Sequence, residues 1–355
     1  MKTTTTRGGV CLPRVVAFTE QAMIAINTTT GRVPRVGKPP RRKSPKASGT
    51  IFDRKAAMAL AEFAMRAESP QAIATECRRV AASIGERFPG RDPATVGSWE
   101  WVLHRIADAI DAGTDAFALF SMAGNTKVPY VCWSVLPVVT CPGMGACGKY
   151  CYSLTAWRNP SAYGRQLWAT IALRFYRRRI IDAWKALPPN LIVRLYVDGD
   201  IDSFETLLFW FNLCGQRPDL RVYGYTKSWH LLLRWNDEGR PFPPNYMVNV
   251  SSGSRFDDDP AMRQAMLDLP IARGEFIVVR VKGEGTLWPK GFKRYGSKAY
   301  HEAVHAEAKR LGIKGPSCGG DCGACGSGTP WCLGINPDGT RKDSLIRLPV
   351  LIGAH

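Results

Sequence analysis

The sequence predicts an α/β protein, a parallel βα sheet forming a partial TIM-like barrel, with an N-terminal helical extension and a C-terminal cysteine-rich metal knot. Three observations predict it. From about residue 127 onward, short β-branched and aromatic runs alternate with helical stretches, the pattern of parallel βα units. Polar residues gather just after those runs, where a barrel collects its loops on one face. Seven of the eleven cysteines fall in two tight groups, one after the first strand and one near the C-terminus.

Residues 1–50 carry ten Lys/Arg against one acid, Glu20, which is half of the formal net charge of +18. The stretch "GRVPRVGKPPRRKSPKASG" is Pro-rich, basic and free of aromatic residues, so it reads as a disordered arm. Such an arm binds nucleic-acid phosphates without reading sequence; the plainer alternative is a solvated tail. Hydrophobic content of 45% and charged content of 22% are those of a globular protein. No run approaches the roughly 18 apolar residues of a spanning helix, and the N-terminus has no secretory pattern. A cytoplasmic protein without membrane contact is expected.

Residues 51–125 form a helical lead-in. "IFDRKAAMALAEFAMRAE", "SPQAIATECRRVAASIGERF" and "SWEWVLHRIADAIDAGTDAFALF" place apolar residues at helical spacing, with serine starts on the second and third.

Residues 126–315 form the barrel-like domain. "VPYVCWSVLPVV" is the first strand, followed by a three-cysteine loop and one long helix through "SAYGRQLWATIALRFYRRRIIDAWKAL". "LIVRLYV", "LRVYGYT", "YMVNVSS" and "EFIVVRV" are four further strands, separated by the helices "SFETLLFWFNLC", "SWHLLLRWN" and "DPAMRQAMLDL". A barrel is preferred to an open doubly wound sheet because neither a Gly-x-Gly-x-x-Gly turn nor a phosphate-loop motif is read after a strand. Trp133, Trp157, Trp168, Trp210, Trp229, Trp235 and Trp331 read mostly as packing residues; a base-stacking platform would need them exposed.

The chemistry concentrates after the strands. Cys141, Cys147 and Cys151, spaced C-x5-C-x3-C with Gly143, Gly145 and Gly148 between them, can turn three sulfurs toward one centre. In a reducing compartment clustered thiols signal metal or redox chemistry. A 4Fe–4S cluster held by three cysteines keeps one iron open for a small-molecule ligand, whereas structural zinc needs a further ligand. Facing it from the next loops would be Asp198, Asp200 and Lys227, the candidate catalytic groups. Asn249, Ser251 and Arg255 would contact a cofactor. Residues 316–355 hold Cys318, Cys322, Cys325 and Cys332, a complete four-thiolate set for zinc or a second cluster, which would staple the C-terminal loop and tail. "HEAVH" places His301, Glu302 and His305 at the H-E-x-x-H spacing of zinc proteases, against the plainer reading of an exposed amphipathic helix.

The order "TCPG", the further two cysteines, "VDGD", "YTKS", "NVSSGS" and then four cysteines resembles the gene product 88 domain family of phages and plasmids, over about residues 125–335. That resemblance brings no defined activity. A more distant likeness is to radical S-adenosylmethionine enzymes, in which a three-cysteine loop follows the first strand of a partial barrel and an aromatic residue, here Tyr150, often precedes the last cysteine. It departs in its cysteine spacing, and Asp198, Gly199 and Asp200 stand where a Gly-Gly-Glu segment would hold the cofactor's amine. The expectation is an iron–sulfur protein of phage or plasmid origin, radical S-adenosylmethionine-like if an enzyme. The alternative is a zinc- or cluster-stabilised nucleic-acid-binding accessory protein.

Overall fold

The computed structural model describes residues 54–90, 92–122, 128, 130–279, 298–319, 331–336 and 338–353. The basic arm over 1–50 lies outside them. Three helices come first: α1 (Arg54–Arg66), α2 (Pro70–Arg87) and α3 (Trp99–Asp111). Local chemistry sets their starts. The Ser69 hydroxyl accepts from Ala72 N–H at 3.2 Å with Pro70 at the first turn, and Ser98 accepts from Trp101 N–H at 3.0 Å.

The βα region then runs β1 (Val131–Cys132), α4 (Ser153–Ala156), α5 (Pro160–Phe175), α6 (Arg177–Lys185), β2 (Ile192–Arg194), α7 (Phe204–Gln216), β3 (Arg221–Thr226), α8 (Trp229–Asp237), β4 (Tyr246–Ser251), α9 (Pro260–Asp268), β5 (Ala272–Val279), α10 (Lys298–Arg310) and β6 (Val350–Gly353). The six strands lie side by side in chain order, every pair parallel, and the sheet curls into a half-barrel. Consecutive order is what repeated βα units of one hand produce. At the two margins, Ser121 forms an antiparallel bridge with Cys132, and Ser317 a parallel bridge with Leu351.

Strand alternation divides the side chains. Val131, Val193, Val222, Val248 and Val250 face the helices and share one core with α1–α9. Tyr130, Cys132, Ile192, Tyr223, Met247 and Val350 face the concave side, where Cys332, Leu333 and Ile335 pack against them. The first three helices are thus part of the main core rather than a separate extension, and Tyr163 of α5 donates to Ala57 O at 2.9 Å. Trp133, Trp157, Trp168, Trp210, Trp229 and Trp235 are all buried, so packing is their role.

Two elements differ from the sequence expectation. The long helix after the cysteine loop breaks at Tyr176 (φ −131°, ψ 38°), where the Leu173 carbonyl is taken by Arg177 Nε at 2.9 Å. A sixth strand, Val350–Gly353, completes the sheet.

Candidate functional site

The C-terminal ends of the strands open into one cavity of about 460 Å³. Cys141, Cys147 and Cys151 line it, together with Asp198, Asp200 and Lys227 from the loops after β2 and β3 and Ser251 at the end of β4. Six of the expected site residues outside the C-terminal cysteines therefore meet Ser251 around one space. The sequence reading missed Tyr152, Arg194, Tyr225 and Phe276, which also line it. The signal was there: Tyr223 and Tyr225 alternate on one face of β3, and Tyr225 stacks against Phe276 at 4.6 Å between ring centroids, under the Arg194 guanidinium at 4.7 Å.

The cysteine loop is fastened to its neighbours through its backbone. Gly145 N–H and Cys147 N–H both donate to Gly253 O, at 3.0 and 3.2 Å, while Arg255 N–H donates to Gly143 O at 3.0 Å. The Ser254 hydroxyl lies 3.2 Å from Gly143 O and 3.1 Å from Lys227 O, joining three loops at one point. Glycine is required where the chains touch. A Cβ on Gly143 would stand 1.7 Å from Lys227 O, and one on Gly145 would stand 2.5 Å from Arg255 N.

Contrary to the sequence expectation, Gly143, Gly145 and Gly148 do satisfy G-x-G-x-x-G spacing after the first strand, and with Lys149 they approach a phosphate loop that ends in Tyr150 instead of Ser or Thr. The structure gives these glycines another use. The chain after them is a five-residue 3-10 turn, Ala146–Tyr150, not a helix whose N-terminus could meet a phosphate, and Lys149 points to solvent.

Asp200 is buried and fully engaged. Its carboxylate accepts from Ile201 N–H (2.8 Å), the Thr226 hydroxyl (2.8 Å) and Lys227 N–H (2.7 Å). Burial nevertheless holds its carboxyl above the ordinary range, against the opposing pull of those donors and the Lys227 charge. Asp198 is raised by the same cause, and Gln166 Nε2 of α5 orients it at 3.0 Å while Trp157 Nε1 fixes Gln166 at 2.8 Å. Lys227 Nζ lies 2.9 Å from Ser251 Oγ. Burial, then the Asp200 charge, push the Cys141 thiol up; burial raises Cys147 as well, with Lys227 pulling it back.

Two expected ligand contacts lie elsewhere. Asn249 is fully buried on the concave face, where its Nδ2 donates to Gly224 O and Cys332 O at 2.9 Å each and its Oδ1 accepts from Arg273 Nε at 2.6 Å. It ties the strands to the segment of Cys332, Leu333 and Ile335, which plugs the concave side. Arg255 is exposed, its guanidinium over the Phe256 ring at 4.7 Å.

Cys318 lines the cavity and packs against the concave core in which Cys332 is buried, and Cys322 and Cys325 lie outside the described residues. Ser317 Oγ meets His301 Nδ1 at 2.5 Å and His305 Nε2 at 2.9 Å, so the two imidazoles of "HEAVH" converge on a hydroxyl, while Glu302 faces Lys298 in solvent at 3.7 Å. Among the described residues, no group of three or more His, Cys, Asp or Glu side chains stands ready-made for a metal ion. No helix among them is long and apolar enough to cross a membrane.

A family model described as gene product 88 matches residues 104–328, which is more than half of the chain and covers most of α3, the cysteine loop, the stretches bearing Asp198, Lys227 and Ser251, and the first three C-terminal cysteines. The chain belongs to the gene product 88 family. No curated protein and no solved structure matches it. Within the gene product 88 region, β1–β5 and the polar groups Asp198, Asp200, Lys227 and Ser251 of the cavity are included, whereas β6 lies beyond it.

Proposed function

We propose that this gene product 88 protein binds an iron–sulfur cluster through Cys141, Cys147 and Cys151 and presents it to a small molecule in the cavity. The observation that carries the reading is that one glycine-locked loop brings three thiols to a space whose other walls hold Asp198, Asp200 and Lys227. The donor set fits such a group. Three thiols match the three-cysteine ligation that leaves one iron open. Turning a thiol between rotamers moves its sulfur about 3 Å, so side chains around one cavity can gather on a cluster without moving the fastened backbone. A cationic centre would also supply the positive charge that the buried Cys141 and Cys147 need to ionise.

When bound, the cluster supplies an open iron for ligand coordination and one-electron chemistry. The protein's part is position and charge. Lys227 offers an ammonium to an anionic group of the ligand, Asp198 and Asp200 face a cationic or amine group, and Tyr225 with Phe276 gives an apolar wall. S-adenosylmethionine combines those groups and is the first ligand to test. Asp198, raised by burial and half open to the cavity, is suited to exchanging a proton with a ligand. The C-terminal cysteines are proposed to hold a second thiophilic metal.

Anaerobic purification followed by iron, sulfide and zinc analysis tests the reading. Iron and acid-labile sulfide lost in C141S, C147S and C151S support it; zinc alone, with no cluster chromophore, refutes it. Reductive cleavage of S-adenosylmethionine by cluster-loaded protein then decides the ligand. The net charge of +18 supports a further role, nucleic-acid binding through residues 1–50. A steep salt dependence of affinity for duplex DNA or RNA, abolished by deleting that arm, is its test.

A further inference from the structure

The cysteine loop lies in the middle of a run without negative charge. Residues 116–181 hold eight Lys/Arg and no Asp or Glu, although the chain has 30 acids in all. The seven of those cations that fall among the described residues sort by position. Four, at the far end of α5 and in α6, are engaged within the molecule: Arg174 donates to Ala67 O at 3.0 Å and Arg177 to Leu173 O at 2.9 Å, while Arg178 pairs with Asp182 at 3.1 Å and Arg179 with Asp115 at 3.0 Å. The other three stand at the cavity end: Lys149 in the cysteine loop, Arg158 beside the N-terminus of α5, and Arg165 in its second turn. All three are exposed, and no ion pair or side-chain hydrogen bond engages them among the described residues. The positive end of the α5 dipole points the same way. Between Lys149 and Arg158 comes Tyr152, whose side chain is 50% exposed and lines the cavity. Its hydroxyl donates to Val197 O at 2.8 Å, across to the loop after β2, so one end of the ring is fixed and its orientation is set before any ligand arrives.

We infer that this face of the cysteine loop and α5 docks single-stranded nucleic acid across the cavity mouth, with Tyr152 stacking on a base and Lys149, Arg158 and Arg165 taking phosphates. Stacking on an aromatic ring tolerates any base but needs one that is unstacked, which a strand offers and a duplex does not. The phosphates neutralise charges that have no partner within the protein. A base on Tyr152 stands at the opening of the space that holds Asp198 and Lys227. The surface requires neither a metal in the cavity nor the basic arm over 1–50, whose proposed contacts are with phosphates and serve single strands and duplexes alike.

The test uses full-length protein and fluorescence anisotropy, with a labelled oligothymidylate about 12 nucleotides long and a duplex of the same length. Tyr152→Ala should weaken single-strand binding at least about fivefold, the lower end of what one stacked base contributes, and leave the duplex within about twofold. Tyr152→Phe keeps the ring and should bind the single strand within about threefold of wild type. Replacing Lys149, Arg158 and Arg165 together by alanine should flatten the slope of log affinity against log salt by about 2, three phosphates at about 0.7 each. Single-strand affinity and salt slope unchanged in these variants overturn the inference, and the binding that remains then belongs to the arm. A loss in Tyr152→Ala that is equal on the duplex overturns it too, since an unpaired base is then not what the ring meets. Photocrosslinking of the unsubstituted chain to an oligonucleotide carrying 5-iodouracil, mapped by mass spectrometry, gives a measure that no variant's folding can disturb. Crosslinks should fall on Tyr152; crosslinks confined to residues 1–50 refute the surface while leaving the arm's role intact.

Discussion

Replacing Gly143 by alanine tests whether the cysteine loop is held by close backbone contact. The added Cβ would lie 1.7 Å from Lys227 O and 2.1 Å from Lys227 C, half the 3.4 Å at which ordinary van der Waals contact begins. Both obstacles are backbone, so no rotamer relieves them. The loops must separate, and the bonds at stake are those to Gly143 O from Arg255 N–H and Ser254 Oγ and those to Gly253 O from Gly145 and Cys147 N–H. At about 1 kcal/mol net for each bond, losing two to four of them costs about 2–4 kcal/mol. The control is Gly215→Ala on α7, where an added Cβ meets nothing within 4 Å. An alanine there, in the last turn of α7, should be neutral or stabilising by up to about 1 kcal/mol. Urea unfolding followed by tryptophan fluorescence reads both variants, since the buried tryptophans report the main core. If G143A is as stable as G215A and retains metal equally well, close packing does not hold the loop and the reasoning about its glycines is wrong.

Asn249→Ala should destabilise the fold by about 3 kcal/mol or more, because it removes three hydrogen bonds and strips Arg273, itself fully buried, of the Asn249 acceptor; thermal melts check it, and a change within 1 kcal/mol would contradict it. Asp198→Asn should alter how stability depends on pH. Burial raises the folded-state carboxyl of Asp198 above the ordinary 3.8, so its contribution is fully present below that value and is lost as pH rises through the folded value. The wild-type advantage over D198N in denaturation midpoint should shrink on going from pH 3.5 to 7, and an advantage that grows instead would refute the assigned direction. Ser317→Ala removes the shared partner of His301 and His305 and should leave global stability within about 1 kcal/mol, while hydrogen exchange at Cys318 and Leu351 quickens. Unchanged exchange there would show that the hydroxyl does not anchor the segment.

Much of this molecule was legible because strand periodicity and loop position are written locally. The five runs of β-branched and aromatic residues do form parallel strands in chain order, and the polar residues right after "LIVRLYV" and "LRVYGY" do reach the cavity. Depth was not legible. Asn249 and Ser251 share a face of β4, but they differ by one layer, about 6.6 Å along a strand, and the lower residue meets the plug rather than the cavity. Val350–Gly353 is four residues near the chain end, too short for alternation to stand out, and becomes a strand because β5 offers it a partner. The place of Cys318 beside Leu351 comes from a pairing 33 positions away that no local pattern encodes. Arg255 fails for a simpler reason. Its backbone is the part the loop uses, and its side chain is free to stack outside.

Among the described residues, the two flanks of the half-barrel that another chain could extend are met by short stretches of its own chain. Ser121, arriving from the helices, sits beside Cys132, while Ser317, arriving from α10, sits beside Leu351. These short neighbours act as guards against intermolecular strand addition, which an open parallel sheet of this size otherwise invites. For anyone trimming the chain toward its sheet, the consequence is practical. A fragment starting after residue 121 would uncover one flank of the sheet and the face of α5 that α1 and α3 cover, and its failure to stay in solution would speak of lost cover rather than of a damaged site.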